Sequence, residues 1–498
     1  MPSTVWYSCS PFGTGDIKTG SPTITISGGV ATLSVAQASN IGCGDCIEYA
    51  STAVYIAPNR LGFDSGGTTE IKVGDKIQGA TSGATGIIRA VELTSGSWSG
   101  GDAAGYFYFE QITGTWQDNE TINRIRPSSA SNVATVNGTL QGNIGNGNTQ
   151  FVVKTATGGT PSNQSSTSVT SIHHEYASLK DLEAGFTDAN HLNSTDLTSS
   201  GANVIVHACC YYDHSDYTGD TQNYTTISFG TTDESHYFFV FTPIGGSESI
   251  NKQRHSGKWD GNKYYTAVTE GNCLHNSQDY TRIEGLQLDG SAGGYNGLGS
   301  GYITYFGYSI VKGCSSQAIY ASNISAALYS YSNMLYSCAE AFDNEDSTCS
   351  IHYMYNCTAA DMSTDGFIRC VAKNCLAYDT TGSGFASLAS GSDYNASSDG
   401  TGDDWGTHGR ANQTFSFVDE ANDDYHLASN DTGAKDYGTD LSTDSYLPIW
   451  RDIDGEDRVG GTWDIGADEY VTTGGGGAII NQFQKSNLGA DLFNGSLL

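Results

Sequence analysis

The sequence predicts an all-β chain whose second half is a solenoid of stacked strands. Three observations carry that expectation. The near-repeats IVKGCSSQAIY (310–320), NMLYSCAEAF (333–342), HYMYNCTAAD (352–361) and CVAKNCLAYD (370–379) each carry a short strand into a turn and a cysteine. Each is too short to bury an apolar face alone, so copies must stack to make a core. The composition, 63 Gly and 30 Tyr against 8 Pro, favours strands and tight turns. With 37% hydrophobic and 15% charged residues, the chain is folded and not disordered. The aligned Cys314, Cys338, Cys357 and Cys375 are expected to stack inward as small hydrophobes, one per coil. Asn356 and Asn374, just before two of them, are expected to form a short ladder at a turn.

The elements follow in order. Residues 1–170 read as a β-rich domain. SPTITISGGVATLSV is a hairpin turning at Gly28 and Gly29, and IEYASTAVYIA adds a strand. Alternation in KIQGA, GIIRAVE and YFYFEQI makes 66–126 a small barrel of four or five strands. The first pattern resumes at 148–159, so this barrel is an insertion, and deleting it should leave the rest folded. Ser178 followed by Asp181 starts a short helix with Leu179, Leu182 and Phe186 on one face, a cap for the first coil. The solenoid is assigned to 171–471, its coil pattern fading after about 390. A glycine linker at 474–477 leads to a docking segment bearing Ile479, Ile480, Phe483, Leu488, Leu492, Phe493, Leu497 and Leu498. So much apolar surface is expected to bind another subunit of a homo-oligomer, a trimer, or another particle protein.

The charge balance narrows the function classes. Lys and Arg number 22 against 54 Asp and Glu, a net charge of −32, which repels nucleic acid and anionic membranes. The start MPSTVWYSCSPFGTGD lacks a basic and then apolar export signal, and no run reaches the roughly 18–20 apolar residues of a membrane span. Twelve cysteines are therefore expected to be reduced. Cys43 and Cys46 flank a Gly-Asp turn without a second CxxC or a nearby His, and Cys209 and Cys210 are adjacent; both pairs read as structural.

Chemistry is sparse. Candidate loop carboxylates are Asp289, Asp343, Glu345, Asp346, Asp361, Asp365 and Asp379, any two of which adjacent coils bring together. Glycoside hydrolysis needs such a pair about 5–10 Å apart. Lys312, Arg369 and Lys373 are the only cations between 285 and 409, too few for a polyanion lyase. RDIDGEDRVGG places Asp452, Asp454, Gly455 and Asp457 in a fragment of a calcium loop whose twelfth position is Trp463, not Glu, so it reads as an acidic turn. QRHSGKWD concentrates Arg254, His255, Lys258 and Trp259, read as partners for the acidic surface, with sugar contact through Trp stacking as the alternative. His173 and His174 have no Cys or His at metal-site spacing. No catalytic, metal or cofactor residue is assigned.

Three stretches carry a resemblance covering about one fifth of the chain. EYASLKDLEAGFTDA with the Val-rich strand after it resembles the cap and first coil of right-handed parallel β-helix proteins. DIDGEDRVGGTWDIGADEY resembles the closing motif of many such proteins from bacteria and their viruses, and VGDKIQGATSGATGIIRAVE…YFEQITGTWQDNETI is similar to small modules of phage structural proteins. The resemblance implies a phage or prophage virion protein: a tailspike, fibre or capsid-decoration protein, on a right-handed parallel β-helix. The short stretch after the closing motif departs from tailspikes, which often end in a sizeable trimerising domain. The resemblance implies a virion location, at the outside of the particle where it meets the host surface, with non-catalytic glycan binding as an extension of that reading. The rival readings are a polysaccharide depolymerase using loop carboxylates and a bacterial surface adhesin.

Overall fold

The structure, a computed structural model, describes residues 1–212, 219–322, 327–344 and 352–471. The docking segment, Glu345 and Asp346 lie outside the described residues. The fold is all-β, with 39% strand and 2% helix.

Its bulk is three parallel sheets that the chain visits in rotation. The first has eight strands, from Ser3–Cys9 and Val204–Cys210 through Thr281–Glu284, Thr304–Gly307 and Leu328–Tyr331 to Tyr353–Tyr355 and Val371–Lys373. The second runs from Thr226–Ile227 to Phe385–Ala386 and the third from Tyr265–Ala267 to Ala396–Ser397, seven strands each. Thr304–Gly307 (first), Ile310–Lys312 (third), Gln317–Ala321 (second) and Leu328–Tyr331 (first again) make one circuit. Strands of two to five residues suffice within the stack because each inner strand pairs on both sides, leaving few backbone groups unsatisfied.

In-register pairing puts like residues in columns. Leu274, Leu298, Ile319, Phe342, Phe367 and Phe385 form one inside the second sheet. On the first sheet Tyr305, Tyr329 and Tyr353 stack face to face at 4.8 and 5.2 Å, close to the strand spacing.

The cysteines form two columns, not one. Cys314 and Cys338 follow strands of the third sheet, and the Cys314 N–H lies 3.3 Å from Cys338 Sγ. Cys357 and Cys375 follow strands of the first sheet. All four are buried, but the 19-residue step from Cys338 to Cys357 changes corner instead of completing a circuit. Asn356 and Asn374 occupy equivalent left-handed turns (φ 51° and 53°), yet they make no ladder. The Asn374 amide binds both backbone groups of Thr439, while the Asn356 amide is buried without a partner among the described residues.

Two closed six-stranded barrels stand beside the sheets. One uses Thr23–Ser27, Val30–Leu33, Cys46–Tyr49, Thr52–Ala57, Gln150–Lys154 and Gln164–His173. Its first hairpin turns at Gly28 and Gly29 (φ 57° and 77°), the geometry that favours glycine at both places. The other runs from Arg60–Gly66 to Ala130–Val136, wider than the 66–126 expected from sequence because the alternation continues into both flanks. Ser3–Cys9 belongs to the first parallel sheet beside Val204–Cys210, not to a domain spanning 1–170. Helix α1 (Leu179–Gly185) starts at Ser178, whose Oγ accepts from the Asp181 N–H, and buries Leu179, Leu182 and Phe186.

The parallel strands end at Ser397, so 398–471 adds no coil. This stretch carries one antiparallel pair, Phe417–Asp419 with Asp424–Leu427, and packs over the outer faces of the sheets through Tyr425, Leu447, Ile449, Trp450, Ile453 and Trp463. In the closing motif, buried Arg458 donates to the Asp464 and Gly466 carbonyls (3.0 and 2.7 Å) and to Glu469 (3.1 Å).

A buried charge network ties the second barrel to the sheets. Arg89 donates to Glu248 at 2.6 Å and lies 3.2 Å from Glu110 and from Glu284. Arg451 reaches Glu110 at 2.6 Å, Arg254 lies 3.7 Å from Glu110, and Tyr331 donates to Glu284 at 2.9 Å. Burial pushes the Glu110 carboxyl up, but Arg451, Arg89 and Arg254 more than offset it and hold it well below the ordinary range. For Glu248 burial wins over Arg89 and pushes the carboxyl up to about 7.

Candidate functional site

The sequence-selected carboxylates are mostly committed to partners. Asp343 takes both oxygens to Arg369, at 2.5 and 2.6 Å. Asp289 lies 3.8 Å from Lys312 and caps the Ser291 N–H. Asp365 accepts from the Ser383 N–H at 2.6 Å. The cations are equally engaged: Lys373 donates to Asp444 at 2.7 Å. Lys312, besides Asp289, sits 3.9 Å over the Trp259 ring.

Asp361 and Asp379 occupy equivalent places on neighbouring coils. Each follows a strand of the third sheet, in left-handed turns (φ 54° and 47°), and the preceding Ala360 and Tyr378 are register partners. Successive coils therefore set the two side by side. Asp361 accepts a hydrogen bond from the Tyr425 hydroxyl. Its carboxyl is pushed up, chiefly by burial, with Asp379, Glu420 and Asp423 adding like charge.

Among the described residues, two groups carry donor atoms of metal-ligand type within 4.8 Å of one another. The first is His426, Asp454 and Asp468, where the sequence showed only an acidic turn. His426 is held between Asp424 (Nδ1, 2.5 Å) and Asp454 (Nε2, 3.1 Å), and these bonds overcome burial to raise its pKa to about 12. Both ring nitrogens therefore face carboxylates within hydrogen-bond distance. Asp452 spends Oδ1 on the backbone N–H groups of Asp454 and Glu456 and is fully buried. From QRHSGKWD, Arg254 and His255 are buried and Lys258 pairs with Asp424 at 3.4 Å, so this run serves the interior as well as the surface.

The second group, Cys46, His173 and Glu175, joins two motifs that look unrelated along the chain. Cys43 and Cys46 part company: Cys43 Sγ lies 3.2 Å from Cys209 Sγ, while Cys46 faces Glu175. Cys209 and Cys210, adjacent in one strand, point to opposite faces, Cys210 reaching Cys9 at 3.7 Å. His174 is buried against Asp45 at 2.7 Å and stacks on Tyr211, whereas His173 turns the other way. Glu175 carried no signal in the sequence; only the pairing of the strands reveals it.

No family model, curated protein or solved structure matches the chain. Among the described residues no helix is long and apolar enough to cross a membrane.

Proposed function

We propose that the protein is a structural protein of a virion surface, a spike, fibre or capsid decoration built on a right-handed parallel β-helix. One observation carries the reading: the loop side chains that a sugar-cleaving site would use are mostly tied to internal partners, Asp343 to Arg369, Asp289 to Lys312 and Lys373 to Asp444. Three parallel sheets visited in rotation support the β-helix, and the three resembling stretches support the virion setting. The charge of −32 suits a dense, soluble particle surface and speaks against nucleic acid as a partner. Exposed Tyr446, stacked at 4.8 Å on Tyr353, offers an aromatic ring for glycan contact. Trimer formation and anchoring through 478–498 complete the proposal.

The adjacent Asp361 and Asp379 favour a second reading, a glycan depolymerase. Incubating the protein with host capsule or lipopolysaccharide decides between them. The structural reading expects no new reducing ends. Release that disappears in Asp361→Asn and Asp379→Asn establishes the depolymerase instead.

A further inference from the structure

Strand Gln164–His173 runs antiparallel to Cys46–Tyr49, and its register places His173 directly opposite Cys46. Glu175 follows two residues later, and the three side chains bring a thiol sulfur, an imidazole nitrogen and a carboxylate oxygen within 4.8 Å of one another. The surroundings orient the imidazole and the carboxylate of this group. The Ser171 hydroxyl donates to Glu48 Oε2 at 2.6 Å, since a carboxylate only accepts. Its oxygen is thus the acceptor for His173 Nδ1, 3.2 Å away, which places a proton on Nδ1 and turns Nε2 toward Glu175. That nitrogen lies 3.8 Å from Glu175 Oε2. Glu175 Oε1 is held by His191 Nε2 at 2.7 Å, while Oε2 is buried with no hydrogen-bond partner. A carboxylate–serine–histidine relay behind one ligand and a histidine behind another are the outer supports that metal sites carry.

We propose that Cys46, His173 and Glu175 bind one divalent transition-metal ion of the zinc type, through Sγ, Nε2 and Oε2. Sulfur and imidazole donors select zinc-like ions over calcium or magnesium. Zinc bonds of about 2.0–2.3 Å space tetrahedral donors about 3.3–3.8 Å apart, so a closure of about 1 Å completes the site, with water in the fourth position. The ion would pin the passage from the first barrel into the parallel sheets. There Tyr176, the residue after Glu175, exchanges backbone hydrogen bonds with Ser8 and Ser10 (3.0 and 2.9 Å).

Cobalt(II) titrated into the reduced, metal-free full chain tests this. The expected result is one equivalent bound, with a thiolate-to-cobalt charge-transfer band in the near ultraviolet that zinc bleaches. Cys46→Ser should abolish the band and Cys43→Ser should keep it. If Cys46→Ser does not fold, His173→Ala must abolish the band in its place. Ser171→Ala, which leaves all three ligands in position, should weaken binding roughly 10–100-fold. No stoichiometric binding, or a band that survives in the folded Cys46→Ser or His173→Ala protein, overturns the proposal.

Discussion

At the scale of single residues, the protein depends on charges it has buried. Glu110 accepts from Arg451 and lies within ion-pair reach of Arg89 and Arg254, in an interior where each is about 1–5% exposed. Removing one member leaves the others uncompensated, at a cost of about 3–5 kcal/mol. Glu110→Ala should therefore lower the urea midpoint sharply, and a change below about 1 kcal/mol would show that water already relieves the network. The pH dependence has a definite sign. Burial pushes Glu248 and Glu469 up to about 7 and Asp75 up to about 6. A carboxyl raised on folding contributes stability fully present below its unfolded pKa of about 4 and lost as pH rises through the folded value. Glu110, depressed on folding, acts oppositely, but only as pH falls below about 4.5. Buried His207, His255 and His352, held below the ordinary imidazole range, act oppositely over the same window. The test is therefore a difference: Glu248→Gln should raise the thermal midpoint at pH 8 relative to that at pH 5, and an unchanged pH profile would mean this carboxyl is not so shifted. None of this was legible in the sequence. Arg254 stood out as a rare cation, but no spacing links it to Arg89, Glu110, Glu284 and Arg451.

At the scale of elements, the sequence was more informative. The helix cap at Ser178 and the Gly28-Gly29 hairpin are local, so a few side chains announce them. The strand-turn-cysteine repeats correctly signalled stacked strands but not their corner. A strand leading to a turn and an inward small residue recurs at both the first-sheet and third-sheet corners, and sequence alone does not distinguish them. Within the stack, Phe367 lies between Phe342 and Phe385, its ring 5.6 Å from that of Phe385. Phe367→Ala opens a cavity that neighbours fixed by parallel pairing cannot fill, at an expected cost of about 3–5 kcal/mol. Denaturant titration checks it, and a loss under about 1 kcal/mol would mean the coils collapse onto the gap. The metal-ligand group at Cys46 belongs to the same lesson. Its residues are 127 and 129 positions from Cys46, and only antiparallel register brings them together.

At the scale of the whole molecule, the second barrel is tied to the sheets by buried charges. The alternation in 66–126 made it look self-contained, but Arg89 and Glu110 project from it into the network with Glu248, Glu284, Arg254 and Arg451. Deleting 60–136 removes Arg89 and Glu110 and uncovers the arginines and glutamates they pair with, together with the apolar surface around them, so the shortened chain should be insoluble or unfold at markedly lower temperature. A deletion protein as stable as the full chain would contradict that coupling. The same scale holds the functional claim, that this chain is a built part of a particle surface. Its most direct test is quantitative mass spectrometry of density-purified particles from cells that express the gene. The structural reading predicts the chain in the particle band at a fixed copy number per particle, retained after a high-salt wash. Recovery only in the soluble fraction, with none in the particle band, would contradict it.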